Sequence, residues 1–301
     1  MPVADEVFRL QNGRGPEGDF FRSFATLNLN NGDTKQGTWI ATSSGQLLGA
    51  VNSRSAGEIG TLMRSSLAKY RQMPKAQRVR TAPVDARASD RNETRYPQGG
   101  MVLRSTSRDL PGAPKGSAWM ATAWNTDVCW FTAEEMRQLM PTAARKGAKL
   151  EVPAPLIRRI VRFNLVDNVR GQTWAFEDAQ VEKAALAVEV TGVEKGVVQL
   201  RITGEARAVA KGRWSVRGHD DPRPTDQERG VDMKLLGRAA WDTKKDRFTS
   251  FEIVAAGTRW GGTQYNRREN DLAVQPMGVV LQLADDKDRV APSAFYQYGW
   301  R

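Results

Sequence analysis

The residues best equipped for chemistry lie close together between Gly257 and Gln275. Arg259, Arg267 and Arg268 offer fork-shaped donors, and Asn266, Asn270 and Asp271 offer acceptors. Trp260 and Tyr265 add flat apolar faces with a polar handle. Gly257, Gly261 and Gly262 allow a partner to come near the main chain. Strand-like runs, Phe248 to Ala256 and Met277 to Ala284, flank the stretch, so a rigid sheet would present a variable loop. The expected ligand site is Arg259, Trp260, Tyr265, Asn266, Arg267 and Asp271, with Trp260 and Tyr265 lining a surface groove. A glycan or a protein is the partner such a surface suits, because rings stack while forks and amides read polar edges.

Other reactive groups are sparse. Cys129 is the only cysteine, which excludes an internal disulfide and any CxxC redox or zinc motif. It stands before a capped helix, where a thiol pKa can fall, but no base is at hand, and its aromatic neighbours suit a buried small hydrophobe. His219 is the only histidine, so a Ser-His-Asp triad and a multi-histidine metal site are both disfavoured. His219, Asp220 and Asp221 read as a solvated turn before Pro222, and no metal site or cofactor is expected. Loop carboxylates are the remaining catalytic candidates: Asp109, Asp127, Asp167, Glu269 and Asp271, with Asp167 and Asp271 as the best pair for acid and base work. No GxxxxGK[ST] or GxGxxG phosphate loop is present.

The elements that position these groups read as a β-meander from Val181 to Ala284. Leu186, Val188 and Val190 precede a turn at Gly192 to Gly196, and Val198, Leu200 and Ile202 follow. Alternation with polar residues marks strands with one buried face. Leu235, Ala239 and Trp241, then Phe251, Ile253 and Ala255, continue it. Lys211 to Val231 reads as a long insertion carrying Trp214, a second loop indole suited to stacking. Met101 to Thr106 and Ala118 to Trp124 predict short strands. Thr132 to Glu135 is a capping box opening a short helix, and Leu156, Ile157, Ile160 and Val161 form the stripe of another. Trp119, Trp124, Trp130 and Trp241 are expected in the core. Nearer the N-terminus, Gly37 to Val51 reads as a hairpin. Ser55 to Glu58 caps a helix whose face is Ile59, Leu62, Met63, Leu67 and Tyr70, ending at Pro74.

The 301 residues, 40% apolar, suffice for a substantial core. The formal charge is +11. Arg64 to Arg95 carries nine basic side chains against three acidic ones, a net of +6. Lys69, Arg71, Lys75, Arg78 and Arg80 are therefore the alternative, nucleic-acid-facing residues. Tyr70 is the only aromatic among them and is assigned to the helix's apolar face, so such binding would be weak, non-specific and salt-sensitive. No apolar run is long enough for a transmembrane helix. Localisation stays open: extracytoplasmic if a leader has been removed, otherwise cytoplasmic.

The stretch Gly37 to Met73, with Ser44-Gly45-Gln46-Leu47-Leu48-Gly49 in its hairpin, resembles the last hairpin and C-terminal helix of a thioredoxin-like domain. It spans under a fifth of the chain. The family's CxxC is missing, as is a proline just before the first hairpin strand, so redox activity is not implied. A longer pattern includes Gln36-Gly37-Thr38-Trp39, Thr106-Ser107-Arg108-Asp109-Leu110, Phe163 to Gln172, and Gly257-Thr258-Arg259-Trp260-Gly261. It is similar to uncharacterised bacterial proteins that join such a fragment to a β-rich C-terminal region.

The expected fold is α+β: a small thioredoxin-like remnant over 1–80, a linker over 81–100, and a larger antiparallel β-rich domain with two short helices over 101–301. The expected function is non-enzymatic binding of a glycan or protein partner by loops. The alternatives are an enzyme using loop carboxylates and a non-specific nucleic-acid binder.

Overall fold

The computed structural model describes residues 7–13, 15–29, 34–79, 91–112, 117–217, 222–285 and 289–300. His219, Asp220, Asp221 and Arg80 lie outside them, as does 81–90 of the expected linker. The described residues are mostly antiparallel sheet with few, mainly short helices. They divide into two compact units, one up to Thr94 and one from Arg95 onward.

In the first unit, α1 (Val7–Asn12) and α2 (Pro16–Phe24) precede the hairpin of β1 (Thr38–Ala41) and β2 (Leu47–Val51). Phe20, Phe21, Phe24 and Trp39 meet edge to face, which gives this small unit its aromatic centre. Helix α3 (Ala56–Gln72) starts where the Ser55 hydroxyl accepts from the Glu58 amide. Its inward stripe is Ile59, Leu62, Ser66 and Tyr70, whereas Met63 and Leu67 are exposed, a rotation from the expected face. The short α4 (Lys75–Arg78) follows Pro74.

The second unit is built on one eight-stranded sheet. Its strands are β3 (Met101–Asp109), β4 (Trp124–Phe131), β5 (Lys149–Glu151), β6 (Val181–Glu194), β7 (Val197–Trp214), β8 (Thr225–Asp242), β9 (Arg247–Trp260) and β10 (Gln275–Leu283). Their spatial order is β4-β3-β10-β9-β8-β7-β6-β5. β6 to β10 form the meander that the alternating pattern predicts. Leu186, Val188, Val190, Val198, Leu200 and Ile202 are all buried on one face. The opposite face is polar, with ion pairs such as Arg207 to Glu182 and Asp232, and Lys183 and Lys234 to Glu205.

Between strands lie α5 (Ala118–Ala121), α6 (Ala133–Arg137) and α7 (Ala154–Phe163). The capping box of Thr132 and Glu135 is formed in full. α7 presses Leu156, Ile157, Ile160 and Val161 into the core that lines the sheet's inner face. It also covers an edge. Arg159 donates to the carbonyl of Trp130 at 3.0 Å, and Asn164, its C-cap, donates to that of Val128 at 3.3 Å. Two carbonyls of edge strand β4 are thereby occupied. Arg159 is itself held by Glu135 and faces the rings of Phe131, Tyr298 and Trp300.

Three expectations change. Ala118 to Ala121 is a helical turn, and both Trp119 and Trp124 are exposed, while Trp130 and Trp241 are core. The stretch from Lys211 to Val231 is mostly strand, because β7 and β8 stay paired out to Trp214 and Thr225. β9 likewise runs on to Trp260, so the connection to β10 begins at Gly261.

Candidate functional site

One end of the sheet's inner face carries charge where a core would carry methyl groups. Asp109 stands opposite Met277, which stands opposite Gly257. Two residues along β9 comes Arg259, opposite Val231 of β8, and two residues along β8 comes Arg229. The strand period of two places Asp109, Arg259 and Arg229 on the face of Met277 and Val231. The segment leaving α7 adds Asp167 and Arg170, and the connection after β9 adds Asn266, Arg268 and Asp271. All are buried except Asp109, whose side chain is 11% exposed.

Arg268 is the hub. Its Nε and Nη2 donate to the two oxygens of Asp167, each at 2.8 Å. Nη1 and Nη2 donate to the two oxygens of Asp109 at 2.9 and 2.8 Å, and Nη1 reaches Asp271 at 3.0 Å. All five guanidinium hydrogens are thus used, on three carboxylates. Arg170 bridges Asp109 at 2.9 Å and Asp271 at 3.0 Å. Arg259 donates to the Asp271 carboxylate and main-chain carbonyl. Asn266 accepts from the Thr263 amide at 2.9 Å and donates to the Asp167 carbonyl at 3.2 Å.

The electrostatics follow from this packing. Burial alone would raise the Asp109 carboxyl, but the bonds and charge of Arg268, with Arg170 and Arg259 behind it, hold it below its ordinary value. Arg268 is more basic than usual because Asp167 and Asp109 outweigh its burial. Arg259 is less basic than usual through burial and the nearby Arg268 charge. Arg229 differs from the other three. It makes no ion pair among the described residues. Its Nη2 donates to the carbonyls of Trp174 at 2.9 Å and Ala175 at 3.1 Å, and its carbon lies 4.4 Å from the Phe176 ring centre. Burial pulls its pKa down to about 10.

A group of rings lies beside this charge. Trp174 meets Trp214 at 6.3 Å and Tyr265 at 5.7 Å, both edge to face. Trp174 is 43% exposed and Tyr265 51%. The group is tied down from behind. Trp214 Nε1 donates to the Gly262 carbonyl at 2.8 Å, and the Thr173 and Thr263 hydroxyls are 2.7 Å apart. Gly171 allows the two connections to touch, since a β-carbon there would stand 2.3 Å from the Tyr265 carbonyl.

The predicted site is therefore divided. Arg259, Asn266 and Asp271 point inward and bind one another, so they are not surface contacts. Arg267 is exposed, in a left-handed conformation with φ of 55°. Trp260 belongs to β9, and alternation sends its indole to the outer face, away from Tyr265. There it lies across Gly230, donates to Glu228 at 2.9 Å and is covered by Arg207. Trp174, Arg170 and Arg229 were missed. The signal for the first two was the polar run Asp167 to Gln172 leading into Trp174, which reads as a turn when its distant partners are unknown; nothing local marked Arg229.

The catalytic candidates have other occupations. Asp109, Asp167 and Asp271 come together, but as counter-ions in a closed network. Asp127 is raised by burial, against bonds from Ser293 and the Val128 amide. Cys129 is fully buried, and burial pushes its thiol up to about 12. Among the described residues no group of three or more His, Cys, Asp or Glu could hold a metal ion, and no helix is long and apolar enough to cross a membrane. In the first unit, Lys69 donates to the Leu48 carbonyl, and Arg78 donates to those of Met73 and Arg71. Arg71 and Lys75 are exposed.

Comparison with protein-family models, curated proteins and solved structures gave no match to this chain.

Proposed function

We propose that the second unit is a non-enzymatic binding module that takes a glycan on the ring surface of Trp174, Trp214 and Tyr265. The observation that carries this reading is a half-exposed aromatic group held by hydrogen bonds to the connection after β9 and, at the Trp174 carbonyl, by Arg229 of the buried ionic cluster. Exposed aromatics on unsupported loops would lose rotamer and backbone freedom on binding. Here most of that ordering cost is met during folding. Rings with polar neighbours suit a partner with alternating apolar and hydroxyl faces, as a sugar has, better than the flat apolar core of a protein interface. The order hairpin then helix over residues 38–72 supports reading the first unit as a thioredoxin-like remnant. The missing CxxC leaves it without that family's dithiol chemistry.

The test is a glycan array followed by calorimetry on the best hits. Trp174→Ala should weaken binding tenfold or more, about 1.4 kcal/mol, with the melting temperature nearly unchanged. Unchanged affinity in that variant, or no binding to any glycan, would refute the reading.

A further inference from the structure

Arg229 is a buried guanidinium in a cluster whose charges do not balance. Among the described residues Arg170, Arg229, Arg259 and Arg268 face Asp109, Asp167 and Asp271, which leaves one positive charge. The excess sits on Arg229, since each of the other three arginines touches at least one carboxylate. Two carbonyls and the Phe176 ring meet part of that charge, but no carboxylate among the described residues touches it, so an anion arriving there would gain a charge-assisted hydrogen bond.

The surroundings indicate what that could be. Asp167, Phe176, Arg229, Gly262 and Asn266 contribute to a small cleft of about 10 Å³, room for one water-sized group. Both hydrogen bonds of Arg229 leave from Nη2, so Nε and Nη1 make none among the described residues. Asp167 would repel an incoming anion, but both its oxygens are engaged by Arg268. Cleft and ring group share their supports. Tyr265 precedes Asn266, and the Trp174 carbonyl is the one Arg229 holds.

We propose that Arg229 receives a carboxylate of the ligand, so that the glycan bound on Trp174 and Tyr265 is an acidic, uronate-bearing one. This rests on the binding reading above. A planar carboxylate is the slimmest anionic group a glycan carries and can offer one oxygen edge-on to a space this size, whereas a tetrahedral sulfate or phosphate brings more bulk behind the same oxygen. Nε or Nη1 can give that oxygen one charge-assisted hydrogen bond while Nη2 stays on its two carbonyls.

The experiment uses matched pairs across a panel: galacturonate, glucuronate and mannuronate oligosaccharides, each beside its carboxyl-reduced neutral counterpart. Calorimetry on the intact chain should show at least one acidic member bound tenfold or more tighter than its neutral twin. Arg229→Met should abolish that preference, read as the ratio of acidic to neutral affinity within each pair so that any loosening of Trp174, whose carbonyl Arg229 holds, cancels. Arg229→Lys, which keeps the charge but cannot hold both carbonyls and also reach the ligand through Nε or Nη1, should cut the preference at least threefold. It carries the test if the methionine variant does not fold. Equal binding of acidic and neutral twins overturns the inference and leaves the binding reading standing. A preference unchanged in Arg229→Lys overturns it too. Failure of every pair to bind overturns the binding reading itself.

Discussion

Replacing Arg268 by methionine should destabilise the second unit by roughly 3–5 kcal/mol, the usual cost of removing one partner from a buried ion pair. The structure indicates why the full cost should apply. Five hydrogen bonds to Asp109, Asp167 and Asp271 disappear at once, and among the described residues Arg170, Arg259 and the Asn266 amide are left in contact with those three carboxylates. For a unit of this size each kcal/mol moves the melting temperature by about 2–4 °C, so the expected fall is roughly 6–20 °C. Tryptophan fluorescence reports on the right unit, because of the nine tryptophans only Trp39 precedes residue 95. The pH dependence gives a second arm. The Asp109 carboxyl is lower in the folded chain than its ordinary 3.8. Its contribution is therefore present above that pH and is lost as pH falls through the lower, folded value. Asp109→Asn should flatten that part of the acid limb and lower stability at pH 7. An Arg268→Met protein melting within 2 °C of the wild type would show that the cluster does not hold this end of the sheet.

Two further outcomes are expected. Cys129 should react with a thiol reagent only as fast as the protein unfolds, and Cys129→Ser should keep any binding, since the thiol is buried and high in pKa; rapid labelling of the native chain would contradict this. Gly230→Ala should push Trp260 off the outer face, because the added carbon would lie 2.2 Å from its ring and 2.7 Å from the Ala208 carbonyl. A melting temperature several degrees lower and a shifted emission maximum are the expected signs, and a crystal structure with Trp260 unmoved would count against it.

The meander was legible because each of its strands has one wet and one dry face, so burial is written along the chain with a period of two. Leu186 to Val190 and Val198 to Ile202 show it plainly. The outer arms of β7 and β8 were not legible. Near Lys211 to Trp214 and Thr225 to Glu228 the strands pass beyond the apolar core, and alternation gives way to exposed polar residues. For the same reason Trp260 was read as a loop residue, when one more strand register sends it to the outer face. The cluster was legible only as an inventory. Arg259, Asn266 and Asp271 were singled out as donors and acceptors, but their partners Asp109 and Asp167 lie 159 and 101 residues from Arg268. Nothing local marks an arginine as buried. The carboxylates that allow it are brought together only in the folded sheet.

The strand order has a consequence for synthesis. β3 and β4 are made early and pair as a hairpin, yet their only link to the rest of the sheet is β10, which pairs with β3 from Met277 to Leu283. While the chain is being made, the meander from β6 to β9 can zip from neighbour to neighbour, and the first hairpin must wait with one side unsatisfied. Arg268 and Asp271 leave the ribosome just before β10, so the neutralising of Asp109 and the closing of the sheet belong to the same late event. A nascent chain stopped before Gln275 would therefore show a protease-sensitive β3–β4 hairpin beside a protected meander. Release of the last thirty or so residues would convert both into one resistant body.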